Sequence, residues 1–179
     1  IIVETCQDVL AAKAAVIGAK RAMTAQGREV PIIVSITVET TGTMLVGSEI
    51  GAALTALEPL GIDVIGLNCS TGPAEMREHL RHLARHARIG VSCMPNAGLP
   101  VLTADGAYYP LTAEELTQSL QAYVAEFGLC PVGGCCGCAG CVRAVPVPGC
   151  VGCVVPVERS VTGGEVFGSL LAQAAASAR

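Results

Sequence analysis

Apolar residues fall along this chain in two alternating kinds of run. Five short blocks are apolar at nearly every position: Ile1-Ile2-Val3, Ile32 to Val38, Val64 to Leu67, Ile89 to Met94 and Leu129 to Val132. Such blocks predict strands buried on both faces. Between them the apolar positions recur at helical spacing. Val9 and Leu10 return as Val16 and Ile17 in a helix that Asp8 caps and Gly27 stops. A second helix carries Ile50, Leu54 and Leu57, with Ser48 as the cap and Pro59 and Gly61 at its end. Pro73 opens a third, striped by Met76, Leu80, Leu83 and Ala87. Thr112 to Glu115 form a capping box for a fourth, with Leu116, Leu120, Tyr123 and Phe127 on one side.

Strand and helix therefore alternate, which is the pattern of a parallel sheet covered by helices. The repeat suits either a (β/α) barrel or a doubly wound sheet. No Gly-x-Gly-x-x-Gly follows the first strand and no P-loop lysine motif occurs, which weakens the nucleotide-binding form. Glu4, Glu39, Cys69, Asn96 and Cys135 each stand just past an expected strand, the side of a barrel that carries chemistry. The fold class expected is α/β, as about five strands from the C-terminal part of a (β/α)8 TIM-type barrel. Three earlier strands would be missing, and a chain that opens on a strand without Met reads as a fragment. The expected division is a partial barrel over residues 1–137 and an irregular Cys/Gly/Pro-rich tail over 138–179.

Composition narrows the function. With two Phe, three Tyr and no Trp in 179 residues that are 51% hydrophobic, the core must be aliphatic. A net charge of −4 offers no basic surface to nucleic acid or acidic lipid. No apolar run reaches the length of a membrane span, and no signal segment opens the chain, so the expected location is cytoplasmic. Ten cysteines in a chain with long helical patterns favour metal binding over a secreted disulfide framework.

The densest chemistry is Gly133-Gly134-Cys135-Cys136-Gly137. Adjacent cysteines do not readily bond to each other, but glycine-permitted turns let both thiolates meet one soft metal. Cys69, at the end of another strand, is the best placed third ligand. Sequence spacing cannot pair it with Cys135, and an ordinary small buried cysteine is the competing reading. Three thiolates with an open fourth position would form a catalytic rather than a closed zinc site. His79, His82 and His86 share one side of their helix among Arg81, Arg85 and Arg88, as on a solvated flank. Cys6 and Cys93 read as core or site-flanking residues.

Val64 to Cys69 with Thr71-Gly72-Pro73, Pro95-Asn96-Ala97-Gly98-Leu99-Pro100 and Gly133 to Gly137 together resemble the zinc-dependent homocysteine S-methyltransferases. The likeness runs from Ile1 to Gly137, and Asn96 to Pro100 points to the cobalamin-dependent branch, the methionine synthases. The resemblance implies a barrel that binds zinc through Cys69, Cys135 and Cys136 and accepts a methyl group on homocysteine. It implies that Glu4 holds the substrate ammonium, against a strand-end carboxylate that is merely solvated or salt-bridged. Asn96 either shapes the loop over the site or touches the substrate, and Glu39 acquires no role. The methyl donor implied is methylcobalamin on a separate module, with cobalamin- and folate-binding modules as partners. No Asp-x-His-x-x-Gly cobalamin motif occurs here, so this chain would be the acceptor half. A cobalamin-independent homocysteine methyltransferase is the alternative.

After Gly137 the likeness breaks. The family continues with a Thr-Thr-Pro segment and an acidic-His pair, whereas this chain reads Cys138-Ala139-Gly140-Cys141 and then a Val/Pro/Gly/Cys run. Three readings stand: a second zinc knuckle from Cys138, Cys141, Cys150 and Cys153, a disordered tail, or a reading-frame slip. The knuckle would make the chain a Cys-rich structural zinc-binding protein instead.

Overall fold

The computed structural model describes residues 1–104 and 106–138. The elements are β1 (Ile2–Cys6), α1 (Val9–Gln26), β2 (Ile33–Ile36), α2 (Ile50–Leu57) running into a 3-10 turn at Glu58–Leu60, β3 (Val64–Asn68), α3 (Pro73–His86), β4 (Gly90–Met94), β5 (Val101–Thr103), β6 (Gly106–Tyr108) and α4 (Ala113–Phe127). The expected tail features, including Cys141, Cys150, Cys153 and the helical composition after Gly164, lie outside the described residues. Among the described residues, no helix is long and apolar enough to cross a membrane.

β1 to β4 form one parallel sheet in chain order, as an α/β chain with helical crossovers requires. Ile33, Val34, Ser35 and Ile36 pair with Val64, Ile65, Gly66 and Leu67, and the same β3 residues pair with Gly90 to Cys93. One face of the sheet presents Val34, Ile36, Ile65, Leu67, Val91 and Cys93 to the core shared with Val16, Leu57, Met76, Leu80, Leu83, Leu116 and Leu120. The opposite face carries a row of small residues in register, Ser35 beside Gly66 beside Ser92. A Cβ on Gly66 would stand 1.8 Å from the Ser92 Oγ, so only glycine fits there.

The helix signals act as their physics predicts. Asp8 accepts hydrogen bonds from the N–H groups of Leu10 and Ala11, and Gly27 ends α1 in the left-handed region at φ 61°. Thr112 and Glu115 form the reciprocal capping box of α4. The Met76, Leu80 and Leu83 stripe is fully buried.

Four expectations need correction. Glu4 does not follow β1 but lies within it, because the strand continues to Cys6 after an irregularity between Val3 and Cys6 where Thr5 has φ 56°. α2 starts one residue later than Ser48 implies, with Glu49 as a cap lacking a side-chain bond. The stretch between β4 and α4, where the apolar pattern predicts no element, contains an antiparallel hairpin, β5–β6, whose residues are exposed. The fifth strand is not a regular element. Pro131 has no N–H to donate, and a single parallel bridge joins Val132 to Cys93. Backbone bonds still hold that segment along β4, from Cys130 N–H to Val91 O (2.8 Å), from Cys93 N–H to Pro131 O (3.2 Å) and from Gly133 N–H to Cys93 O (3.0 Å).

Candidate metal centre

The segment that runs beside β4 delivers Cys135 and Cys136 to the loop that follows β3. Cys135 N–H donates to Pro95 O at 2.8 Å. Asn96, buried at 2% exposure, accepts from Cys136 N–H through Oδ1 at 3.0 Å, while its own N–H donates to Thr71 O at 3.0 Å. Ala97 N–H donates to Cys136 O at 3.0 Å. One asparagine therefore stitches the Cys135-Cys136 turn to the turn that carries Cys69.

The Cys69 turn is unusual backbone. Cys69 and Ser70 both have φ 61°, a left-handed region that non-glycine residues enter at a cost of about 1–2 kcal/mol each. It is tied from several sides. Cys69 N–H donates to Met94 O at 3.1 Å and Thr71 N–H to Cys69 O at 2.7 Å. The preceding Asn68 accepts from Thr5 N–H at 3.1 Å and donates to Thr5 Oγ1 at 2.8 Å. Ser70 Oγ donates to a carboxylate oxygen of Glu39 at 2.8 Å. Behind the turn, Tyr123 of α4 donates its hydroxyl to Pro73 O at 2.5 Å.

The outcome is a cluster of three thiols. Cys69 Sγ stands 3.8 Å from Cys136 Sγ, and Cys135 Sγ stands 3.9 Å from Cys136 Sγ. All three sulfurs lie within 4.8 Å of one another. Sulfurs bound tetrahedrally at about 2.3 Å from one zinc sit about 3.8 Å apart. The donor set therefore fits that metal in both chemistry and spacing. Cys69 and Cys135 are half-buried and Cys136 is exposed, so the cluster opens to solvent on the Cys136 side.

Burial and the neighbouring Cys69 and Cys136 push the Cys135 thiol up to about 12. A metal must displace a proton there, so uptake strengthens as pH rises. Cys93 has a thiol pushed far up by full burial, with its sulfur 3.9 Å from Met76 Sδ; it is a core residue. Cys6 is half-buried and its thiol is raised by burial and by Glu4. Cys138 is buried, with its sulfur 3.7 Å from Pro95 O and 3.5 Å from Cys136 O.

Glu4 is exposed on β1. Its neighbour Thr5, rather than Glu4 itself, reaches the Asn68–Cys69 turn. His82 and His86 stack on each other with ring centroids 4.3 Å apart on α3.

Two residues near the sulfurs were not picked out by sequence reasoning. Glu39 was noticed only as a strand-end acid, yet it bonds the residue next to Cys69. Tyr109, just past the hairpin, lies against Gly137, where a Cβ would stand 2.4–2.6 Å from its Cβ, Cγ and Cδ2 atoms. Burial, a hydrogen bond to Cys136 and the charges of all three cysteines raise its phenol. An aromatic residue three positions ahead of the helix-cap Thr112 carries no local signal of this role.

Residues 1–140 match the sequence model of a family described as homocysteine S-methyltransferase. The chain is 71% identical over 137 residues to a methionine synthase of Mycobacterium tuberculosis, and 69% identical over 137 residues to a methionine synthase of Mycobacterium leprae. Both alignments cover 76% of this chain but only 12% and 11% of those proteins. The chain thus spans about an eighth of the length of the relatives it matches.

Proposed function

Because the chain belongs to the homocysteine S-methyltransferase family, we propose that its three-thiol cluster is a zinc site that receives homocysteine for methylation to methionine. The observation that carries this reading is the pair of sulfur separations, 3.8 and 3.9 Å, brought together from two distant turns. Zinc, when bound, supplies a Lewis acid that keeps the incoming thiol ionised at neutral pH.

The chain's own residues do the rest. Cys69, Cys135 and Cys136 would hold the zinc, which would take the substrate sulfur as a further ligand. Asn96 holds the two turns in register through Cys136 and Thr71. Glu4, exposed on β1, is the proposed partner of the substrate ammonium, a charge-assisted contact that fixes orientation. Its support is position, since the neighbouring Thr5 is bonded to the residue before Cys69.

The finer reading follows the sequence resemblance. Residues 1–137 are taken as part of a (β/α)8 barrel, with β1 to β4 as consecutive strands, and 138–179 as a separate tail. The methyl donor is methylcobalamin on another module, with a folate-binding module as a further partner, and a cobalamin-independent donor is the alternative. A cytoplasmic location is part of this reading, since a thiolate centre needs its cysteines kept reduced.

Zinc stoichiometry tests the centre. One zinc per chain is expected, lost from Cys69→Ser, Cys135→Ser and Cys136→Ser alike. Cobalt-substituted protein should gain a sulfur ligand when homocysteine is added. Zinc retained by the triple variant but lost on changing Cys138, Cys141, Cys150 and Cys153 would overturn the reading in favour of a structural knuckle.

A further inference from the structure

The turn that carries Cys69 and the strand that carries Glu4 meet at one pair of residues. Asn68 is buried, and both ends of its amide are engaged: Oδ1 accepts from Thr5 N–H at 3.1 Å and Nδ2 donates to Thr5 Oγ1 at 2.8 Å. Asn68 is also held from the β2 side, where Thr37 Oγ1 donates to Asn68 O at 3.2 Å. Thr5 follows Glu4 in the chain, and Asn68 precedes Cys69.

β1 departs from a regular strand at this contact. Val3 pairs with Val34 and Cys6 with Ile36, so Glu4 and Thr5 together stand opposite the single residue Ser35. The extra residue is a bulge, which breaks the alternation of a strand and re-aims its side chains. Val3 and Cys6 accordingly both pack on the core, while Glu4 and Thr5 are both exposed. Thr5 is a β-branched residue in the left-handed region, at φ 56°. Such a conformation persists only where the surroundings over-determine it, and the two bonds from Asn68 do so.

We propose that the Thr5–Asn68 pair sets the separation between the Glu4 carboxylate and the metal centre, so that the site selects an amino-acid thiol by the number of methylenes between its ammonium and its sulfur. Homocysteine has one methylene more than cysteine. With both anchor points fixed, a substrate one methylene too short cannot engage the carboxylate and the metal together and forfeits one of the two contacts. Thr5 is a positioning residue that acts through Glu4. This inference rests on the zinc and Glu4 assignments proposed above.

The test uses the full chain loaded with cobalt in place of zinc, whose spectrum reports thiol binding. Three probes are compared: homocysteine, cysteine, and mercaptobutanoate, which is homocysteine without its amino group. The wild type should bind homocysteine about tenfold or more tighter than cysteine. Thr5→Val keeps the branched shape and the N–H bond but removes Oγ1. It should weaken homocysteine binding about tenfold and leave cysteine and mercaptobutanoate unchanged, while Thr5→Ser should retain the preference. Added to Glu4→Gln, Thr5→Val should weaken homocysteine no further, since the carboxylate it positions is already gone. Equal weakening of homocysteine and mercaptobutanoate would reduce Thr5 to a brace of the metal turn and overturn the proposal, as would a wild type without the preference. Homocysteine binding unchanged in Glu4→Gln would remove the ammonium assignment and this inference with it, while the metal centre stands. A wild-type chain that takes up neither zinc nor cobalt would overturn the metal reading itself.

Discussion

Ser70 occupies a conformation that glycine would adopt freely, yet the chain places serine there and holds it with Glu39. The bond offsets part of the left-handed cost and so keeps Cys69 turned toward Cys135 and Cys136. Glu39→Ala should therefore weaken zinc binding about five- to tenfold in a chelator competition. Adding Ser70→Gly to that variant should restore most of the affinity, because glycine needs no clamp to hold a positive φ. Unchanged affinity in Glu39→Ala would show that the Asn68 and Met94 bonds suffice by themselves. This partnership was not legible in the sequence. Glu39 and Ser70 are 31 residues apart, and no local pattern states which two loops will meet. The cysteine triplet was more open to reading, since glycines flank Cys135-Cys136 and Cys69 closes a strand-like run.

Among the elements, the helices were the best specified. Asp8, Gly27, Pro73 and Thr112 each satisfy or omit a backbone group that only a helix end leaves unpaired, and their positions were readable for that reason. The hairpin was not, because β5 and β6 are three residues each and bury no face; without burial there is no alternation to detect. The segment from Leu129 to Val132 looked like a strand on apolarity alone, but Pro131 withholds a donor and a single bridge remains. Pairing within the sheet also depends on a detail that hydrophobic patterns ignore, the Ser35, Gly66 and Ser92 row. Gly66→Ala would place a methyl 1.8 Å from Ser92 Oγ and 2.9 Å from Ser92 O. We expect a loss of about 3 kcal/mol or more in denaturant unfolding, as for severe overpacking. Gly66→Ala combined with Ser92→Gly should recover part of it, and no recovery would mean that the β4 backbone carbonyl is the dominant clash.

At the scale of the whole molecule, the candidate ligands come from turns 67 residues apart. Between them lie α3, β4, the exposed hairpin and α4, and in the hairpin Leu102 is 86% and Tyr108 59% exposed. A metal held by these thiols therefore works as a removable staple, closing a long loop that the chain closes otherwise by packing and a few backbone bonds. A single cut in the hairpin, as chymotrypsin would make at Leu102 or Tyr108, turns that staple from a brace within one chain into a bond between two pieces. Chelation should then lower the melting temperature of the nicked protein by more than it lowers that of the intact one, since the cut removes the tether that keeps the pieces at high effective concentration. Equal drops would mean that the interface between β4 and the cysteine-bearing segment holds without help. On the zinc reading, metal content would then measure integrity: a damaged copy would survive while loaded and come apart once stripped.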